Sequence, residues 1–219
     1  RHRFKTNDLL TSFTAEISVV KDMLWIKGDA SFRRTNRIDH SFDFPIEYKI
    51  GPNRTMTQGL NNYASNNAEA IRYNVFNVYG DFQKTINKHY VSALVGYNQE
   101  EKIFESFFAR RDKLISNGLP SSGLATGNMN VTASNYAWAV RGAFYRFNYI
   151  FDNRYIFEAN GRYDGSSRFP QKDRFAFNPS ASVAWLVSEE GFFEPLLPAL
   201  NFLKLRVSYG SLGNQALAS

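Results

Sequence analysis

The side chains that could do chemistry are few and scattered. His2, His40 and His89 lie far apart, with no HxxH pair and no carboxylate at ligand spacing. A metal site needs three or four converging donors, so none is expected. Glu100-Glu101 and Glu189-Glu190 are adjacent acids. Neighbours on a strand point to opposite faces, so neither pair offers two converging carboxylates for acid–base work, and both read as solvated charge. Asp164-Gly165-Ser166-Ser167 contains serines but no G-x-S-x-G elbow and no matching histidine. Turn capping is the expected role, because Asp and Ser side chains satisfy free backbone amides. Gly118 to Gly127 lacks the Lys-Ser/Thr pair and the helix of a phosphate-binding loop. With no cysteine, disulfides, thiolate metal sites and cysteine nucleophiles are excluded. Neither an enzyme nor a cofactor is expected.

Charge points to binding only weakly. The net charge is +6, from 26 basic and 20 acidic residues. Its clusters are Arg33-Arg34 with Arg37, and Arg110-Arg111 with Lys113. A nucleic-acid surface would place such charges on one structured face with stacking aromatics. Here they fall where strands meet loops, while the aromatics lie on apolar faces. Solvated loop charge is the expectation, contact with an anionic partner the second reading, and nucleic acid is not expected.

The elements that must position these groups are strands. In Tyr155–Asp164, Tyr155, Phe157, Ala159, Gly161 and Tyr163 alternate with Ile156, Glu158, Asn160, Arg162 and Asp164. Phe177–Val187 places Phe177, Pro179, Ala181, Val183 and Trp185 on one side. In Phe202–Ser211, Leu203, Leu205, Val207 and Tyr209 oppose Lys204, Arg206 and Ser208. Side chains on a strand alternate between faces, so each segment has one oily and one wet side. About eight such strands are expected, near Leu9–Val20, Met23–Arg34, Ile71–Thr85, Tyr90–Phe104, Tyr136–Phe151 and the three segments above. The first half of Tyr136–Phe151 alternates poorly, which suggests a bulge.

Connections alternate in length. Lys21-Asp22, Ile86–His89 and Asp152-Asn153 are short; Thr35–Ala70 and Ser116–Ser134 are long. Ser188–Asn201 is longer than its place in the pattern predicts, with a helical turn expected near Pro195-Leu196-Leu197. No apolar run approaches the ~18–20 residues of a spanning helix. The chain nevertheless has 20 Phe, 12 Tyr and 3 Trp at a mean hydropathy of −0.39. A membrane β-barrel reconciles these values, since half of each strand faces water and aromatics form girdles at both interfaces. The dyad pattern alone also suits a soluble sandwich, but a Greek-key sandwich has no reason to alternate loop lengths.

The residues themselves are more specific. Arg162-Tyr163-Asp164-Gly165-Ser166-Ser167-Arg168-Phe169 resembles the RxDGSSRF stretch of the SusC/RagA family of TonB-dependent outer-membrane transporters. Phe177 to Trp185, followed by Ser188-Glu189-Glu190, resembles that family's aromatic-x-P-S-x-S-x-x-W strand. Asn201 to Gly210, through Gly213-Asn214-Gln215, resembles its LKLRxSYGxxGNQ strand, and Asn87 to Tyr97 is similar with less specificity.

The resemblance implies an all-β, antiparallel up-and-down meander of about eight strands forming part of a large outer-membrane barrel. Residues 1–219 would be a partial barrel domain, with an amino-terminal plug and further strands elsewhere in the protein. It further implies import of oligosaccharides or peptides, driven by TonB–ExbB–ExbD through the plug, with a SusD-like surface lipoprotein as lid. The anionic partner of the basic clusters would then be lipopolysaccharide or substrate. Two alternatives stand beside this: a self-contained eight-stranded barrel acting as anchor or adhesin, and a soluble β-sandwich binding domain. On the barrel reading, Phe157, Tyr163, Val183, Trp185, Leu203, Leu205, Val207 and Tyr209 face lipid. Glu158, Asn160, Arg162, Lys204 and Arg206 face the lumen. Arg154 and Lys21 fall on the periplasmic side; Arg34, Gly118 and Asp164–Arg168 fall outside. The segments Thr35–Ala70, Phe107–Ser134 and Asp164–Phe175 are expected to meet substrate or lid. Tyr63, Arg111, Asp164 and Arg168 are the candidate contacts, because aromatics stack on sugar rings and arginine forks match carboxylates.

Overall fold

A computed structural model describes residues 2–59, 61–196 and 199–213. Asn214 and Gln215 of the last motif, and Leu197 of the expected helical turn, lie outside them. The strands are β1 (His2–Val20), β2 (Leu24–Asp43), β3 (Ile46–Gly51), β4 (Arg54–Gln58), β5 (Tyr63–Ile86), β6 (His89–Asp112), β7 (Met129–Phe151), β8 (Tyr155–Ser166), β9 (Phe175–Leu186) and β10 (Lys204–Gly210). Eight of them form one antiparallel sheet in the order β1-β2-β5-β6-β7-β8-β9-β10, and β3 pairs with β4 in a separate hairpin. Each sheet strand lies beside its chain neighbour, as in a meander. The two-sheet sandwich is therefore not the architecture.

The strands are longer than alternation predicted. β5 and β6 have 24 residues each, more than twice the ~9–11 that cross a membrane. Most of the expected Thr35–Ala70 loop is strand: residues 35–43 continue β2, 63–70 open β5, and 46–58 hold the hairpin. Asp164 likewise lies in β8, so the β8–β9 connection is only residues 167–174. Leu203 precedes β10 instead of belonging to it. The tight turns use left-handed residues where the sequence supplies Asp or Asn: Asp22 (φ 59°), Asn87 (φ 51°), Asp152 (φ 51°) and Asn153 (φ 57°). These side chains tolerate that conformation, and such turns match the twist of the flanking strands.

Register in β7–β9 is unbroken. Val140 pairs with Ser166 and every position follows in step to Phe151 with Tyr155; Tyr155 to Gly165 pair with Trp185 to Phe175 in the same way. The expected bulge is thus absent from 140–151. Alternation fails there because Phe144 sits on the polar face, under Arg162 at 5.5 Å, while Arg141 sits on the apolar face over Phe175 at 5.6 Å. Gly161 on β8 is a close approach: a Cβ there would strike the Tyr145 ring on β7. An aromatic laid over a cross-strand glycine is a register pin.

Two compact units are distinguishable. One comprises residues 1–11, 32–73 and 102–137, the other 12–31, 74–101 and 138–219. The first has a small core of Ala64, Leu114 and Ala125 against Phe42 and Phe44. There, Asn62 acts as a strand surrogate. Its Oδ1 accepts the Leu114 N–H at 2.8 Å, and its Nδ2 donates to the Leu114 carbonyl at 3.1 Å and to Asn117 Oδ1 at 2.8 Å. Asn66 Nδ2 also donates to Ser122 Oγ at 3.0 Å. The small-residue β6–β7 connection, residues 113–128, is therefore a folded cap, since its backbone groups find specific partners.

Candidate functional site

Within the second unit, β8–β10 and the part of β7 from residue 138 on divide sharply into two faces. Register puts Phe147, Tyr149, Phe157, Val183 and Val207 on one side and Arg146, Glu158, Asn160, Ser182 and Arg206 on the other. The apolar side chains are not buried by protein: Val183 is 54% exposed and Val207 72%. An exposed apolar face this continuous marks contact with a non-aqueous phase or another protein.

The polar face is wired together. Arg146 Nε donates to Asn160 Oδ1 at 3.0 Å, and Asn160 Nδ2 to Glu158 Oε1 at 2.7 Å. Arg206 lies 4.0 Å from Glu158 and donates to Ser182 Oγ at 3.0 Å. Arg162 grips Asp164 with two parallel bonds of 3.1 and 3.0 Å. All of these groups except Asp164 line an open groove of about 680 Å³. A similar chain crosses β6, β5 and β2: Asn98 Nδ2 donates to Asn77 Oδ1 at 2.6 Å, and Asn77 Nδ2 to Asp29 Oδ2 at 2.7 Å. Mutual bonding fixes the rotamers, so donors and acceptors stand preorganised along one side of the sheet. Such a face can hydrogen-bond a polar ligand; among the described residues on it, none of the bonds above pairs a nucleophile with a general base.

The short-turn end carries a second network. Glu190 Oε1 accepts from the Tyr155 hydroxyl at 2.7 Å and from Trp185 Nε1 at 3.1 Å, and Oε2 accepts from Arg154 Nη1 at 3.1 Å. Asp152, 3.7 Å from Arg154, accepts from Lys88 Nζ at 2.9 Å. The Tyr155 and Trp185 bonds hold the Glu190 carboxyl below the usual carboxylate range, and Lys88 does the same for Asp152. Glu190 is thus a tie, 13% exposed at its side chain, not the solvated charge expected from sequence. The connection around it forms 3-10 turns at Val187–Glu189 and Gly191–Leu196, matching the expected helical turn. Around this end stand Phe151, Tyr155, Trp185 and Phe192, with neighbouring centroids 6.2–6.5 Å apart. His89 stacks on Tyr149 and hydrogen-bonds its hydroxyl at 2.7 Å. At the other end of the same face Tyr163 stacks on Phe175 at 5.4 Å.

The four candidate contacts are all engaged. In the first unit, Tyr63 carries the Arg110 guanidinium over its ring at 3.8 Å. Arg111 Nε donates to the Gly127 carbonyl at 3.0 Å, bracing the cap. In the second unit, Asp164 is held by Arg162, and Arg168 lies over Trp138 at 4.4 Å. Turn capping falls to Ser166 instead of Asp164: its Oγ accepts the Arg168 N–H at 3.4 Å. Ser167 extends pairing to Ala139, accepting that N–H through Oγ at 2.9 Å. The structure brings Asp164 and Arg162 together; the Arg146–Asn160–Glu158–Arg206 chain was foreshadowed only as alternate polar positions. Among the described residues no group of three or more His, Cys, Asp or Glu converges to hold a metal.

Comparison with known proteins matches residues 3–215 to the family described as TonB dependent receptor-like, beta-barrel. TonB-dependent receptor P26 of Formosa agariphila is 33% identical over 223 residues, covering 96% of this chain and 21% of that protein. TonB-dependent receptor SusC of Bacteroides thetaiotaomicron is 28% identical over 179 residues, covering 77% of this chain and 17% of that protein. The RagAB peptide transporter structure superposes with a TM-score of 0.79 at 22% identity, over 95% of this chain and 23% of that one. The chain therefore spans about a fifth of the length of these proteins.

Proposed function

Since the chain belongs to the SusC/RagA family of TonB-dependent receptors, we propose that it walls part of a nutrient importer, with the Arg146–Arg206 face lining the path of the cargo. The chain is a segment of an outer-membrane β-barrel wall of a Gram-negative cell. Residues 1–219 are read as a partial barrel domain, whose plug and remaining strands belong to the rest of the protein. The observation that carries the reading is the division of β7–β10 into an exposed apolar face and a wired polar one. Lipid takes the first without cost, and the second supplies hydrogen-bonding groups that lipid could not satisfy.

The likeness to a peptide transporter and to SusC supports a cargo of oligosaccharides or peptides. The polar face suits both, offering guanidinium, amide, hydroxyl and carboxylate groups within one groove. On this reading TonB–ExbB–ExbD acts through the plug, and a SusD-like lipoprotein closes over the loop ends. Tyr63, Arg111 and Arg168 brace those loops, and Asp164 aims Arg162 across the polar face. In the intact transporter, Arg146→Ala with Arg206→Ala should lower uptake of labelled oligosaccharide or peptide several-fold at unchanged surface expression. Unchanged uptake of both cargo classes would remove this face from the path.

A further inference from the structure

The connection between β9 and β10, residues 187–203, carries an apolar surface that closing a hairpin does not require. The other connections at this end, between residues 20 and 24, 86 and 89, and 151 and 155, turn back at once. Here Phe192 is 65% exposed, and Leu196, Leu200 and Phe202 are exposed as well. The segment is nevertheless held in place. Phe193, next to Phe192, is only 3% exposed, and Val187 is buried. The Phe193 N–H donates to the Glu190 carbonyl at 2.9 Å, and the Ser188 N–H donates to the Leu203 carbonyl at 3.2 Å, drawing the two ends together. The Leu196 carbonyl accepts from the Ala199 and Leu200 N–H groups at 3.0 and 2.8 Å. Apolar side chains fixed outward on a pinned segment call for a cover.

Continuity with the lipid-facing surface identifies that cover. Phe192 stands edge-on to Trp185 at 6.2 Å. Trp185 pairs with Tyr155 and Leu205, two positions along from Val183, and so belongs to the apolar face. Glu190, inside the connection, fixes this junction by accepting from both the Trp185 indole and the Tyr155 hydroxyl. Phe192 therefore carries the apolar face past the strand ends. Irregular backbone cannot enter hydrocarbon, because its polar groups would lose their partners. Its side chains can sink at the boundary between headgroups and acyl chains while the backbone stays near water. Charge narrows the choice of lipid. Residues 187–203 contain Glu189, Glu190 and Glu194 and no basic residue. Arg154 neutralises Glu190 at 3.1 Å, whereas among the described residues Glu189 and Glu194 form no ion pair. Such acids repel anionic headgroups and attract an ammonium group.

We propose that the β9–β10 connection is an interfacial anchor, sinking Phe192, Leu196, Leu200 and Phe202 into the periplasmic leaflet and favouring amine-bearing zwitterionic phospholipid over anionic lipid. The anchor rests on the barrel wall and not on import, so its failure and that of the import reading are separable. The test uses the intact transporter carrying Ala199→Cys, with any other cysteine replaced by serine, labelled with a fluorophore. It is reconstituted in vesicles of equal parts phosphatidylethanolamine and phosphatidylglycerol, one or the other brominated near the ester end of its acyl chains. Iodide on both sides of the vesicle serves as the aqueous quencher. Brominated lipid should quench the label more strongly than iodide, and brominated phosphatidylethanolamine about twofold or more above brominated phosphatidylglycerol. Glu189→Gln with Glu194→Gln should level the two lipids while both still quench. Phe192→Ser with Leu196→Ser should move the label toward iodide; if that variant fails to assemble, the labelled protein without it still decides the matter. Stronger quenching by iodide would place the connection in water. Protection from both quenchers would give it a protein cover, and equal quenching by the two lipids in the unsubstituted connection would remove the headgroup preference. Each of these results would overturn the proposal.

Discussion

At the scale of single residues, adjacent positions on β10 have opposite fates. Val207 pairs with Val183 on the apolar face, whereas Arg206 reaches Ser182 on the polar one. A charge placed on a lipid face near the midplane costs ~2–4 kcal/mol, while lumenal changes cost little. Val207→Arg should therefore reduce folded transporter in outer-membrane fractions far more than Arg206→Val; equal yields would contradict the face assignment. Glu190 makes a separate prediction. Its folded-state pKa is depressed by Tyr155, Trp185 and Arg154, so its contribution is present above the ordinary carboxylate range and is lost as pH falls through the lowered value. Asp152 adds in the same direction. Thermal unfolding of the intact barrel should lose stability on acidification below about pH 4. Glu190→Gln should flatten that dependence; an identical acid profile in the variant would assign the loss to other groups.

At the scale of elements, what was legible followed the solvent. The faces of β8, β9 and β10 and the positions of the tight turns could be read because one side of each strand meets lipid and the other water. The upper parts of β2, β5 and β6 could not. Residues such as Asn66, Asn67 and Glu69 continue β5 with polar groups on both sides, where no oily side imposes a dyad. Backbone pairing sustains them, and pairing leaves little trace in side-chain type. The Glu190 tie was hidden for another reason: its donors come from β8, β9 and the β7–β8 turn, which only register brings together. The folded cap depended similarly on one asparagine bonding across 52 positions. Asn62→Ala leaves the Leu114 backbone groups without these partners, a loss of ~1–3 kcal/mol. Hydrogen exchange at Leu114 should then accelerate by about tenfold or more, without change in β8; unchanged exchange would mean that Asn62 does not hold the cap. Removing Ile46–Gln58, the β3–β4 hairpin, should impair uptake or lid association while the barrel still reaches the surface. Full uptake and full lipoprotein association in that deletion would make the hairpin a passive cover.

At the scale of the whole molecule, the central claim is that the eight-stranded sheet separates lipid from an aqueous lumen. Polar ladders on one side and exposed aliphatic and aromatic side chains on the other are required by that position, because neither surface is stable in the other's solvent. The chain has no cysteine, so none of its own residues competes with a single cysteine placed on either side, and any cysteine elsewhere in the transporter is first replaced by serine. The most direct measurement is a scan of residues 155–164 on β8 in the intact transporter in native outer membranes, using a water-soluble thiol reagent and a membrane-confined quencher of an attached fluorophore. Positions 158, 160 and 162 should react with the aqueous reagent and resist quenching, while 157, 159 and 163 should do the reverse. Reactivity without a two-residue period, or with the two sets exchanged, would contradict the account.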